Sequence, residues 1–107
     1  MPDLSEKLRN LRHYEIVFTK HAELRLVQRQ ISKEMVISDL RNPKSLKLAE
    51  KQPPDVNEEK FKLWFIPFKR TAFIYVIIIN HFRRKLFVKT VIKQKLIWQK
   101  KAEKNEK

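Results

Sequence analysis

In the stretch FTKHAELRLVQRQI, residues 18–31, His21, Arg25 and Arg29 recur at every fourth position. At ~100° per residue this spacing gathers the three groups within about one quadrant of a helix, beside a quadrant holding Leu24, Val27 and Ile31. A basic stripe of that kind can hold a phosphate backbone. The alternatives are local: Arg25 and Arg29 can pair with Glu23, Asp39 or another nearby acid on a solvated face. His21 can serve a structural role, because the dipole of a first helical turn disfavours a charged imidazole. A second set lies downstream. In KFKLWFIP, Lys60, Lys62 and Trp64 oppose Phe61, Leu63 and Phe65; in KLFVKTVIK, Lys85, Phe87, Lys89 and Lys93 oppose Leu86, Val88 and Ile92. Phe73 and Tyr75 are expected to join the lysine side from the segment between. Lysines pair with phosphates and flat rings stack on unpaired bases, at ~1–3 kcal/mol per base. The competing use of Trp64, Phe73 and Phe87 is a second minor core or a dimer contact.

Other chemistries are excluded by what the chain lacks. His13, His21 and His81 have no metal-ligand spacing and there is no cysteine, so no metal centre and no disulfide framework are expected. With no glycine, neither a Walker loop nor a dinucleotide-binding turn can form, and no cofactor is expected. The opening MPDLSEKLRN carries acids and no apolar core of a leader, and AFIYVIII falls far short of the ~20 residues of a membrane helix. A soluble, cytoplasmic protein without a membrane partner is the expectation.

The charge is both large and lopsided. The 107 residues carry a net charge of +13, yet residues 1–59 hold 11 Lys/Arg against 10 Asp/Glu while residues 60–107 hold 14 against 2. Such asymmetry calls for a polyanionic partner, with nucleic acid or the ribosome ahead of a membrane surface. A lysine-rich composition without such a partner is the bland alternative.

These groups need a scaffold, and the pattern supplies an α+β one. Asp3 is a candidate cap for a short first helix with Leu4, Leu8 and Leu11 on one face. YEIVFT alternates as a strand, and Thr19 caps the helix that runs to about Gln30. Ser32 restarts a second helix, which Asn42 and Pro43 stop; the two form a helical hairpin. SLKLAEK is a weak strand and QPPDVNEE a loop. KFKLWFIP, RTAFIYVIIIN and KLFVKTVIK follow as an antiparallel meander, joined at 67–70 and 80–84. RTAFIYVIIIN is apolar on both faces and belongs in the centre. Residues 1–98 form one domain and 99–107 a basic tail. The expectation is a helical hairpin packed on one face of a small antiparallel sheet, with an extra short N-terminal helix.

FTKHAELRLVQRQIS, EMVISDLRNP, RTAFIYVIII and KLFVKTVIK resemble a family of small, largely uncharacterised domains that open with His-Ala-x-x-Arg and continue with Arg-x-Ile-Ser. That family is similar to the RelE/ParE toxin superfamily. The resemblance spans roughly residues 14–93 and rests on His21, Ala22, Arg25, Arg29, Ile31 and Ser32; the strands match in pattern only. It implies two helices on a small antiparallel sheet, action on messenger RNA in the ribosomal A site or inhibition of a gyrase, and a complex with a small acidic antitoxin. It also implies catalytic cations on the open sheet face, for which Arg70, Arg83, Arg84 and Lys89 qualify by position. Where that family commonly has glycine, in the turn between the helices and in the hairpins, this chain has other residues, Gln30 among them.

Cleavage of RNA by its own 2′-hydroxyl needs a proton acceptor, a proton donor and cations for the phosphorane. Residues 60–102 contain no carboxylate. The acceptor is therefore sought in His81, a lysine with a depressed pKa, or Tyr75, with His81 as an ordinary exposed turn histidine the alternative. The expected function is a toxin-like, RNA-directed protein, a ribosome-associated endoribonuclease independent of metal. A non-catalytic nucleic-acid-binding module or a ParE-like inhibitor of a protein target is the alternative, and a homodimer is a further option.

Overall fold

The computed structural model describes residues 4–53, 57–68 and 70–95. The cap expected at Asp3, the domain end at 98 and the tail lie outside the described residues. In chain order the elements are α1 (Leu4–Asn10), β1 (Glu15–Phe18), α2 (Lys20–Arg29), α3 (Lys33–Arg41), β2 (Leu46–Gln52), β3 (Glu58–Phe68), β4 (Thr71–Asn80) and β5 (Lys85–Lys95). The class is α+β. The sheet has the order β1-β5-β4-β3-β2. It is mixed rather than antiparallel: β2 to β5 pair antiparallel, but β1 lies parallel to β5. The long stretch from α2 to β4 that intervenes between the two partners permits this parallel edge, which a tight hairpin could not form.

The helices cover one face of the sheet. Leu8 and Leu11 of the α1 region, Ala22 and Leu26 of α2, and Val36 and Leu40 of α3 join Phe61, Leu63, Phe65, Phe73, Tyr75, Ile77, Ile79, Leu86, Val88 and Val91 in one core. α2 lies against β5 and β1, while α3 packs on α1. The Arg41 guanidinium, in the last turn of α3, donates to the carbonyls of Leu11 (3.3 Å) and Tyr14 (2.7 Å) and so ties down the link between α1 and β1.

The caps stand where the polar residues placed them. The Thr19 and Ser32 hydroxyls accept from the amides of Ala22 and Met35, each at 3.1 Å. Gln30 closes α2 in the left-handed region (φ 56, ψ 48), its amide donating to the carbonyls of Leu26 and Val27. A side chain with a Cβ resists that conformation and glycine does not. Gln30→Gly is therefore expected to stabilise the protein by about 1 kcal/mol, read as a raised urea midpoint at unchanged slope.

Three face assignments are corrected by the structure. On α2 the buried residues are Ala22 and Leu26, while Leu24 (54% exposed) and Val27 (76%) face outward. Large apolar side chains suggested one stripe, but the small Ala22 allows the helix to lie close on β5, and that choice turns Leu24 to the far side. On the sheet, Phe73 and Tyr75 stand opposite Phe65 and Leu63 and share their buried face, so neither lies on the open side. A bulge at Lys89 separates the Ile77↔Val88 pair from Val76↔Thr90. One extra residue reverses the alternation beyond it, which moves Ile92 to the open face and pairs Lys93 with Phe73 on the helix side.

Candidate functional site

The face left open by the helices can be read row by row from the strand register. Across β3, β4, β5 and β1, one end row holds Glu58, Asn80, Lys85 and Glu15, and the next holds Lys60, Ile78, Phe87 and Val17. Further along come Glu50, Lys62, Val76 and Thr90, then Leu48, Trp64, Ile74 and Ile92. The face therefore runs from a polar end, beside the β4–β5 turn, to an apolar end. Ile74 is buried there without joining the helix-side core, next to its cross-strand neighbours Trp64 and Ile92.

At the polar end the strands leave a cleft of about 390 Å³ lined by Thr19, Glu58, Ile78, Asn80, Arg83, Phe87 and Lys89. Each lining group has a local reason for its place. Thr19 caps α2 and also donates from its hydroxyl to the carbonyl of Lys89 (3.2 Å), so the start of the helix occupies the bulge that turns Lys89 outward. Asn80 ends β4: its amide nitrogen donates to Glu58 Oε2 at 3.1 Å, and its oxygen accepts from the Arg83 amide at 2.9 Å. One carboxylate, two cations and one aromatic ring thus face a common space. Glu58 can accept a proton, Arg83 and Lys89 can stabilise a phosphate, and Phe87 offers a stacking surface.

Glu58 is the residue that sequence reasoning missed. The polar run QPPDVNEE reads as a loop and ends just before the carboxylate-free stretch 60–102, whereas β3 begins at Glu58. The signal was present in the alternation, since Glu58 has the same parity as Lys60, Lys62 and Trp64.

The remaining candidates scatter. Arg70 is exposed at the opposite end of β4, about 30 Å from Asn80 by the rise of a strand. Arg84 occupies the turn with φ 54, and its carbonyl accepts from the Glu15 amide at 3.2 Å. Lys85 lies 3.8 Å from Glu15. Lys62 sits over the Trp64 ring at 5.0 Å and Lys93 over Phe73 at 5.9 Å. Arg25 donates to His21 (3.4 Å) and Gln28 (3.1 Å), so the stripe on α2 does form, with the exposed Arg29 further along the same helix. It belongs to the helix layer, across the sheet from Lys62 and Phe87. The acids proposed as partners for its arginines are engaged elsewhere, Glu23 by Lys33 (2.6 Å) and Asp39 by Tyr75 (2.6 Å).

Tyr75 is overturned as a proton acceptor. It is fully buried, its hydroxyl donates to Asp39, and burial together with that carboxylate pushes its pKa far above the ordinary phenol value. Asp39 in turn is raised by burial, which the Tyr75 hydrogen bond only partly offsets.

His81 faces away from the cleft. Its ring lies between the Tyr14 hydroxyl, 2.8 Å from Nδ1, and Glu59, 2.6 Å from Nε2; Lys7 also donates to Glu59. Partial burial raises the Glu59 carboxyl, but the bonds from Lys7 and His81 outweigh it and hold the group below its ordinary value of 4.5. A lowered folded-state pKa contributes stability above the unfolded value that is lost as pH falls through the folded one. Glu59→Gln should accordingly be less stable than the parent at neutral pH, with the gap in melting temperature closing as the pH falls below 4.5. Thermal melts across that range check this.

Among the described residues, no group of three or more His, Cys, Asp or Glu is placed to hold a metal ion, and no helix is long and apolar enough to cross a membrane. Comparison with protein-family models, curated proteins and solved structures finds no match to this chain.

Proposed function

We propose that the chain is a toxin-like, RNA-directed protein of the RelE-like kind, a ribosome-associated endoribonuclease whose site is the cleft beside the β4–β5 turn. The observation that carries this reading is the convergence of Glu58, Arg83, Lys89 and Phe87 on one open space. Glu58 takes the proton of the ribose 2′-hydroxyl, and the 2′-oxygen attacks the adjacent phosphorus. Arg83 and Lys89 stabilise the added negative charge, and Lys89 returns a proton to the 5′-oxygen as the P–O5′ bond breaks. The products are a 2′,3′-cyclic phosphate and a free 5′-hydroxyl end. Phe87 stacks a neighbouring base, and Lys60 and Lys62 continue the cationic track along β3. The cations come from the chain itself, so the reaction needs no metal. The strongly basic second half suits RNA or the ribosome as target and a small acidic antitoxin as inhibitor, in the cytoplasm.

A second reading has its own observation. The row Leu48, Trp64, Ile74 and Ile92 gives the other end of the open face an apolar character that suits a protein contact, as in a ParE-like inhibitor or a homodimer. A translation reaction programmed with a defined messenger RNA separates the two. New 5′ ends at codon-spaced positions, found by primer extension only with ribosomes present, support the nuclease. Intact RNA with and without ribosomes, from folded protein, sinks it and favours a binding or inhibitory role.

A further inference from the structure

We propose that His81, held between Glu59 and Tyr14, is a positioning residue that clamps the β4–β5 turn so that Arg83 faces the cleft; this rests on the cleft being an RNA site. The turn, His81 to Arg84, has little packing of its own: Phe82 is 88% exposed and Arg84 is in the left-handed region at φ 54. Its conformation must therefore be set by the hydrogen bonds at its ends.

Those bonds come from both sides of the sheet. On the open side Asn80 accepts from the Arg83 amide while holding Glu58. On the helix side the His81 ring joins Tyr14 and Glu59, and Glu59 is joined to Lys7 of α1. The imidazole meets both demands at once, with Nε2–H donating to the carboxylate while Nδ1 lies within hydrogen-bond distance of the Tyr14 hydroxyl. Glu58 and Glu59 are successive strand residues and so point to opposite faces. The start of β3 thereby sets the proton acceptor on one face and the clamp on the other. Charged and titratable groups facing His81 come from α1 (Lys7), the link to β1 (Tyr14) and β3 (Glu59).

If His81 acts through Arg83, the two residues are coupled. The test is a double-mutant cycle on binding of a fluorescent, non-cleavable 2′-O-methyl single-stranded RNA, followed by anisotropy at several salt concentrations. His81→Ala and Arg83→Ala should each weaken binding about 5- to 10-fold and each flatten the salt dependence by about one phosphate contact. The double variant should bind no more weakly than Arg83→Ala. His81→Gln, which keeps a donor for Glu59, should recover affinity to within about 2-fold. It also serves as the folded control, with melting curves recorded for all variants. Undiminished binding by His81→Ala, full additivity with Arg83→Ala, or no recovery in a folded His81→Gln overturns the clamp. A parent that binds no RNA, or binds it equally well without Arg83, removes the cleft reading itself and the clamp with it.

Discussion

Glu58→Gln should lower the rate of RNA cleavage by about 10²- to 10⁴-fold, the range that a general base supplies, while leaving RNA binding within a few-fold of the parent. The substitution is close to isosteric. The Asn80 amide can still donate to the remaining oxygen, so the bridge from Glu58 through Asn80 to the Arg83 amide survives. What disappears is the capacity to take up the 2′-hydroxyl proton. Removing one negative charge from a cleft that receives phosphate can only help the ground state, so any change in affinity should be toward tighter binding. Single-turnover cleavage rates, measured beside anisotropy on the same RNA, separate the two quantities. An unchanged rate would show that the proton goes elsewhere and would remove Glu58 from the mechanism.

Tyr75→Phe should act in the opposite pattern, losing about 1–3 kcal/mol of stability with cleavage retained. The hydroxyl donates to Asp39 at 2.6 Å across the contact between β4 and α3. Its loss leaves a half-buried carboxylate without that donor, and the cost is the desolvation of an unpaired group rather than the value of one hydrogen bond. The ring remains to fill the centre of the core beside Phe65, so no cavity opens. Urea titration of the variant checks the stability, and cleavage assayed well below its melting temperature checks the activity. A variant as stable as the parent but inactive would reinstate Tyr75 as a functional residue.

The two variants mark where sequence reasoning succeeded and where it stopped. Simple alternation places Lys62, Trp64 and Phe87 on the open face, because nothing interrupts the pleat between them and the strand partners that define it. The pattern puts Tyr75 on the wrong side because RTAFIYVIIIN is apolar on both faces, and a strand with two apolar faces carries no phase information of its own. Its phase comes from the partner: Leu63 opposite Tyr75 and Phe65 opposite Phe73. Alternation exchanges the faces of Lys93 and Ile92 because a bulge is invisible to a period of two. Lys89 is the extra residue, and its carbonyl is satisfied by Thr19, seventy positions earlier.

By itself the sequence determined the α+β class, the order of the elements, the Thr19 and Ser32 caps, and the concentration of positive charge in the second half. Each of these depends on residues within a few positions of one another or on composition alone. Only the tertiary structure decided that β1 closes the sheet in parallel beside β5, that Leu24 and Val27 face outward, and that Arg70 stands a strand's length from Arg83. It also set Glu58, Arg83 and Lys89 around one cleft and brought His81 to Glu59 and Tyr14. These are arrangements of distant segments, set by strand register and by how closely a helix can approach a sheet, and neither quantity is written in any local pattern of residues.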